Sequence, residues 1–379
     1  MKAAGLVAGR SLRVAVVGDH AGWHVGRLRA TLEARGHRAA VVPWQSLSAE
    51  IGPGCGADLG PGCAADLGPG CGADLGPGCA ADLGPGCAAD LGPGCAADLG
   101  PGCAADLGPG CGADLGPGCA ADPRPRERFL PAALADADVV AVRGMPAGSL
   151  EEVIFRMDVL GRLAVAGMPV VNSPRSLEVA IDKYLSLACM AAAGLPVPRT
   201  IVAQDAAAIE AAFAALGGDC VVKPLFGSRG RGLVRITDAA SVARLLAAEP
   251  APSVAGGPRP ALAYLQEFVP HEGWDVRVFV VGERAISMRR VATAGDWRTN
   301  VALGGRPEAF TPPAAWIDLA RRAAAAVGAE VAGVDLLPAR DGRLVVLEVN
   351  AVPGWKGLAA ATGIDVAGEV VRFLESRVG

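Results

Sequence analysis

A chain of 379 residues with a net charge of −4 is long enough for two or three domains and a sizeable core. It has no dense Lys/Arg run of the kind that marks a nucleic-acid tract, and no apolar stretch long enough to span a bilayer. Arg10 and Arg13 interrupt the apolar stretch after Lys2, a poor signal peptide, so the expectation is a cytoplasmic protein without nucleic-acid or membrane partners.

Residues 12–17 read as an apolar strand, 22–35 as a helix and 36–42 as the next strand. From 52 to 122 the chain uses only Gly, Pro, Cys, Ala, Asp and Leu, in nine near-copies of Cys-(Ala/Gly)-Ala-Asp-Leu-Gly-Pro-Gly running from Cys55 to Cys119. Three of every eight residues are Gly or Pro, and bulky apolar side chains are too few to offset the entropy of ordering. A flexible insertion is expected. Its even spacing of eight lacks the close ligand pairs of zinc sites, and a reducing compartment disfavours disulfides. Without these 71 residues, which carry nine Asp and no Lys or Arg, the net charge becomes +5 and only Cys189 and Cys220 remain. Such a remainder suits an anionic small ligand.

After the array, 139–142 resumes as a strand, 149–165 as a helix opened by Ser149 with Glu151 and Glu152 in its first turn, and 169–171 as a further strand. Alternating strand and helix implies a small parallel α/β domain with the array as a surface excursion. A helix is expected over 176–193, with Lys183 beside Asp182 inside it, ended by Gly194 with Pro196 and Pro198 beyond. Residues 220–223 and 233–236 form a hairpin with the tip Phe226-Gly227-Ser228-Arg229-Gly230-Arg231-Gly232 and Lys223 at its base. Glycines let backbone N–H groups approach phosphates closely.

Residues 262–269 read as a strand carrying Gln266 and Glu267, and 275–281 alternates so that Asp275 and Arg277 share a face. Arg289, Arg290, Arg298 and Asn300 read as a basic surface loop. Finally, 331–337 and 343–350 flank Asp341-Gly342, a type I′ turn pair. Pairing Arg340 with Arg343 sets Asp335 opposite Glu348, with Asn350 on the same face. Two carboxylates at that distance repel without a cation between them, and three hard oxygen donors suit magnesium.

Taken together, Asp182-Lys183, Val221-Val222-Lys223-Pro224, the glycine loop 227–232, Gln266-Glu267-Phe268, Asp275-Val276-Arg277, Asp296-Trp297-Arg298-Thr299-Asn300, Ala332-Gly333-Val334-Asp335 and Leu347-Glu348-Val349-Asn350-Ala351-Val352-Pro353-Gly354 resemble the RimK-type ATP-grasp ligases that add L-glutamate to a carboxylate, over about 170–375. The resemblance implies an α/β chain: an N-terminal α/β domain over 1–51 and 123–175, the insertion 52–122, and two α+β ATP-grasp subdomains over 176–262 and 263–379. It implies that Lys183, Lys223, Gly227, Ser228, Gly230 and Gly232 meet ATP phosphates, and that Glu267 and the neighbouring backbone of Gln266, Phe268 and Val269 hold adenine and ribose, with Asp275 nearby. Arg298, Thr299 and Asn300 would face the triphosphate and the reacting carboxylate, with Arg277 or Arg290 stabilising an oxyanion. Asp335, Glu348 and Asn350 would hold two magnesium or manganese ions.

The implied partners are L-glutamate and a carboxylate-bearing acceptor. Residues 353–357 and 223–228 resemble the branch associated with tetrahydromethanopterin, on which reading Trp355 stacks on a flat pterin-like group and Lys356 meets a carboxylate. The same chemistry on a protein tail or carrier protein stays open, as does a non-catalytic nucleotide-binding protein whose array is an interaction or metal-buffering module. The oligomeric state, a homo-oligomer included, is open as well.

Overall fold

The structure is a computed structural model that describes residues 10–49, 130–227, 230–247 and 262–378; the octapeptide array and Ser228 lie outside them. Ser48, Ala49, Leu130 and Val165–Gly167 fall in a second unit; the other described residues form one compact unit.

Apolar runs made of Val and Ala build the first sheet. Strands β1 (Arg13–Val17), β2 (Arg38–Val42), β3 (Val139–Val142) and β4 (Val170–Val171) are parallel, in the order β2-β1-β3-β4. Parallel neighbours need crossover connections; helix α1 (Trp23–Ala34) supplies the first, α2 (Ala132–Ala135) leads into β3, and α3 (Leu150–Val165) precedes β4. The expected start of α3 is a reciprocal cap, in which Ser149 Oγ accepts from Glu152 N (3.2 Å) and the Glu152 carboxylate accepts from Ser149 N (2.8 Å).

The helix expected over 176–193 is two helices, α4 (Pro174–Ile181) and α5 (Lys183–Ala192). Asp182 breaks it. Its backbone is extended (φ −92°, ψ 106°), and its carboxylate caps α5 by accepting from Tyr184 N (2.8 Å) and Leu185 N (3.1 Å).

The second sheet is antiparallel and holds the expected glycine-tipped hairpin. Its strands β5 (Thr200–Ala203), β6 (Cys220–Lys223), β7 (Val234–Ile236) and β8 (Ala263–Glu267) run in the order β5-β8-β6-β7. Helices α6 (Ala206–Ala215) and α7 (Ala239–Ala247) contribute to its own core, where Ile209, Val242, Cys220, Ile236 and Leu265 meet.

The third sheet places β9 (Trp274–Val281), β10 (Arg284–Val291), β11 (Arg306–Ala309), β12 (Val331–Pro338) and β13 (Leu344–Asn350) in the order β11-β10-β9-β12-β13. Arg289 and Arg290, expected in a loop, are therefore in a strand. Helix α8 (Ala314–Val327) precedes β12, and α9 (Lys356–Thr362) and α10 (Val366–Ser376) close the chain. One core joins the first and third sheets, with Val14, Val16 and Leu28 packed with Phe279, Trp355, Val370 and Leu374. Each fully buried Val or Leu contributes roughly 1.5–3 kcal/mol, so the parallel sheet and the third sheet are fastened together while the second sheet keeps a separate core.

The β12–β13 register matches expectation by a different route. Ala339 N donates to Arg343 O (2.8 Å) and Gly342 N to Ala339 O (3.1 Å), so the loop has three residues and ends on Gly342 at φ +86°. That is not the two-residue turn expected from Asp341-Gly342. It would put Leu347 opposite Asp335, but the pairing shifts between Asp335 and Leu336, leaving Leu347 as a bulge and restoring Asp335 opposite Glu348.

Candidate functional site

A cleft of about 860 Å³, its open mouth included, lies where the second and third sheets meet. One part of its wall is apolar, formed by Val221, Leu233, Phe268, Val269, Leu337 and Leu347. The rest carries charge: Lys183, Lys223, Arg231, Arg298, Asp335 and Glu348. Of the residues singled out in the sequence, Gly227, Gly230, Gln266, Glu267, Asp275, Arg290, Thr299 and Asn300 also line it, whereas Gly232, Arg277 and Asn350 do not.

The break at Asp182 sets Lys183 at the first position of α5, where its ammonium donates to Leu225 O (3.3 Å) and Gly227 O (2.8 Å) at the base of the glycine loop. Burial lowers its pKa, opposed by Glu348 and Asp182. Lys223 donates to Gln266 Oε1, and Gln266 Nε2 donates on to Thr200 Oγ1 (3.0 Å). Burial pulls the Lys223 pKa down to about 8; Glu348 and Asp335 resist the shift and Lys183 adds to it. Two ammonium groups thus share one wall with no carboxylate of the described residues bonded to either, a setting that favours an anionic ligand.

The loop tip comes close to the opposite wall. Gly230 (φ +73°) approaches Asn300 so closely that a Cβ would stand 2.7 Å from its Cγ and 2.9 Å from Leu303 Cδ1. Any other side chain there is strained by the positive φ and must displace Asn300 and Leu303.

A ladder of alternating charge crosses the third sheet on one face. Arg290 on β10 is paired with Asp275 on β9, and Arg277, two residues along β9, is opposite Asp335 on β12. Arg277 bonds both Asp335 oxygens at 2.7 Å, and Arg290 reaches Asp335 at 2.9 Å while binding Asp275 through two nitrogens. Thr299 Oγ1 donates to Asp275 Oδ2 (2.7 Å). Arg290 is 3% exposed, so burial opposes its charge, but Asp275 and Asp335 outweigh that and raise its pKa. Burial likewise opposes ionisation of Asp335, and Arg277 and Arg290 hold its carboxyl well below the usual range. Asp275, expected near the ribose, lines the cleft and bonds Arg290 and Thr299. Arg277 and Arg290, expected at an oxyanion, are engaged by carboxylates. Arg298 is held by both Asp296 oxygens at 2.9–3.2 Å, and Glu267 accepts from Arg199 N (3.2 Å).

Glu348 differs from Asp335: its carboxylate makes no hydrogen bond or ion pair with a described side chain, and its field acts on Lys183, Lys223 and Tyr264. Two carboxylates on paired strands, both lining the cleft, are the hard donors that magnesium accepts. Asn350 Oδ1 accepts from Val352 N (2.9 Å) and keeps a second lone pair. The donor set therefore fits a divalent ion at Asp335 and Glu348, with Asn350 beside them opposite Gly333. Among the described residues no three His, Cys, Asp or Glu side chains gather into a metal cluster.

Three side chains, Asn172 and Arg143 just after β4 and β3 and His24 on α1, hold this strand pair and the turn that follows it, and single residues of that kind leave no sequence signal. Asn172 Oδ1 accepts from Glu330 N (2.9 Å) and Val331 N (2.8 Å), and its Nδ2 donates to Val331 O (2.7 Å) and Ala351 O. Arg143 donates to Pro353 O (2.7 Å), and His24 Nε2 accepts from Trp355 N (3.0 Å) and Lys356 N (3.3 Å). Trp355, expected to stack on a ligand, is 1% exposed, with the Arg143 guanidinium 4.1 Å from its ring centre and His24 and Phe279 edge-on. It packs the core.

A family model described as a RimK-like ATP-grasp domain matches residues 180–374. The chain is 33% identical over 268 residues to a tetrahydromethanopterin:alpha-L-glutamate ligase of Methanosarcina acetivorans, an alignment covering 64% of this chain and 81% of that one. It is 34% identical over 253 residues to a probable alpha-L-glutamate ligase of Mannheimia succiniciproducens, covering 65% and 80%. Its fold is similar to that of the ATP-grasp ligase PsnB complexed with a minimal precursor, at a TM-score of 0.61 and 23% identity over 97% of this chain and 100% of that one. No helix among the described residues is long and apolar enough to cross a membrane.

Proposed function

Because the chain belongs to the RimK-like ATP-grasp family, a family of ligases that form C–N bonds, we propose that it joins L-glutamate to an acceptor carboxylate at the expense of ATP, through an acylphosphate. The observation that carries this reading is one cleft holding Lys183, Lys223 and the glycine loop against Asp335 and Glu348, beside an apolar wall.

On this reading the base lies against Val221, Phe268 and Leu337, and the phosphates reach towards Lys183 and Lys223. Their amines, lowered in pKa by burial, are restored to full charge by a polyanion. The glycine loop brings backbone N–H groups to the same place. Asp335 and Glu348, with Asn350, would hold magnesium, which when bound neutralises charge on the phosphate oxygens. The acceptor carboxylate attacks the γ-phosphorus, ADP leaves, and the amine of glutamate then displaces phosphate from the acyl carbon. Positioning and charge neutralisation do most of this catalysis. Arg290, its guanidinium bonded to Asp275 and Asp335, aligns the acids from the cleft wall.

The name of the Methanosarcina relative makes a pterin-type cofactor the leading acceptor class. Cys189 and Cys220 are free thiols, which suits a reducing cytoplasm. The division into 1–51 with 123–175, 176–262 and 263–379 belongs to the same proposal. Its test is isotopic: with the acceptor carboxylate labelled with heavy oxygen, one labelled oxygen must appear in the released phosphate. Its retention in the product and absence from phosphate would contradict an acylphosphate.

A further inference from the structure

Three polar side chains cross the second sheet in one row. Gln266 stands on β8, opposite Thr200 on β5 and opposite Val221 on β6. Lys223, two residues beyond Val221, returns to the same face, so Thr200, Gln266 and Lys223 lie side by side across three strands.

The direction of every hydrogen bond in the row is fixed. An ammonium can only donate, so the Gln266 atom that meets Lys223 Nζ is the carbonyl oxygen Oε1, and the amide nitrogen faces the other way. There Nε2 donates to Thr200 Oγ1 (3.0 Å). The Thr200 hydroxyl keeps a lone pair for it because its own proton goes to Pro198 O (3.0 Å). The Tyr264 hydroxyl is a second, longer acceptor at 3.5 Å from Nε2, and burial pushes its pKa up to about 12, so it stays neutral.

The row is anchored from outside the cleft. Thr200 follows the segment 196–199, in which Pro196 O accepts from Val346 N (2.8 Å) on β13, two residues before Glu348. Arg199 O accepts from Glu267 N (2.9 Å), and Arg199 N donates to Glu267 Oε1 (3.2 Å). Thr200 is thus held against the strand of Glu348 and the strand of Gln266 together. Gln266 is 2% exposed, so an amide that lost its acceptor would turn or leave a buried donor unpaired. The Lys223 ammonium donates to one described residue, through Oε1, which leaves two of its N–H groups for a ligand in the cleft.

We propose that Thr200 is a positioning residue for the ligase: by fixing which way the Gln266 carboxamide faces, its hydroxyl aims the Lys223 ammonium at the nucleotide phosphates. The inference rests on the ligase reading above for the contact between Lys223 and phosphate. Thr200 does not line the cleft and acts through Gln266.

The test is calorimetric titration of the full-length protein with MgADP, arranged as a double-mutant cycle. Thr200→Val keeps the shape of the side chain without its hydroxyl and should weaken MgADP by about tenfold or more. If the valine variant does not fold, Thr200→Ala removes the same hydroxyl without filling its place and should give the same loss. Thr200→Ser keeps the hydroxyl and should bind within about threefold of wild type, a rescue that packing alone would not give. Lys223→Met should also weaken MgADP, and adding Thr200→Val to it should change the affinity by less than about twofold, since the hydroxyl acts through the ammonium. Wild-type affinity in Thr200→Val or in Lys223→Met, a serine variant as weak as the valine one, or losses that multiply in the double variant would overturn the proposal. A wild type that binds no MgADP would instead overturn the ligase reading itself.

Discussion

Asp335 lies directly opposite Glu348 across β12 and β13, yet the two carboxylates are in different states: Asp335 is gripped by Arg277 and Arg290, while Glu348 makes no ion pair with a described residue. The difference separates stability from activity at one site. In Asp335→Asn the two arginines lose their shared carboxylate, and breaking a buried pair costs about 3–5 kcal/mol. Thermal unfolding should fall by several degrees, together with loss of ATP turnover. Glu348→Gln should lose turnover by at least a hundredfold with the unfolding temperature nearly unchanged. Melting curves beside rate measurements check both, and equal destabilisation by the two would refute the assignment.

Lys223 predicts a proton linkage. Its pKa sits at about 8 instead of 10.5 because burial disfavours the charge. The unfolded chain therefore binds more protons than the folded one between about pH 8 and 10.5, so this group destabilises the fold fully below pH 8 and the penalty is relieved as pH rises through that window. Binding a polyanion raises the pKa again. ADP binding at pH 8.5–9 should take up part of a proton, with Lys183, shifted the same way, contributing. Calorimetry in buffers of different ionisation enthalpy measures the uptake, and Lys223→Met should diminish it.

Gly230→Ala tests the loop. A side chain at φ +73° is strained, and its Cβ would collide with Asn300 and Leu303. A penalty of about 1–3 kcal/mol predicts a nucleotide KM raised roughly tenfold or more. The unfolding temperature should change little, since the second sheet has its core elsewhere.

Trp355→Ala should behave as a core truncation, costing about 3–5 kcal/mol, because the ring is enclosed by Arg143, His24 and Phe279. Trp355→Phe should cost much less. A stable alanine variant defective only in acceptor binding would return Trp355 to the ligand.

The Val-rich parallel strands, the glycine-tipped hairpin and the opposed pair Asp335 and Glu348 were legible in sequence because each rests on local pattern. The pair came from cancelling errors. Asp341-Gly342 suggests a two-residue turn, the chain makes a three-residue one, and the bulge at Leu347 gives the residue back. A bulge has no local signature in that run. The strand Arg284–Val291 was obscured because its inward positions are Ile286, Met288 and Arg290, and a charged residue on the buried face destroys the alternation that marks a strand. Asp182 could have been read as a cap, but the apolar periodicity on both sides of it concealed the break. Asn172, Arg143 and His24 recognise backbone atoms far along the chain, and no spacing announces such contacts.

The central claim is phosphoryl transfer to a carboxylate followed by amide formation, and the products of ATP turnover test it most directly. Purified protein with ATP, magnesium, L-glutamate and a panel of carboxylate acceptors should release ADP and phosphate only when glutamate and one acceptor class are both present, with the acceptor gaining a glutamyl residue by mass spectrometry. AMP and pyrophosphate as products, or ADP release indifferent to acceptor and glutamate, would contradict it.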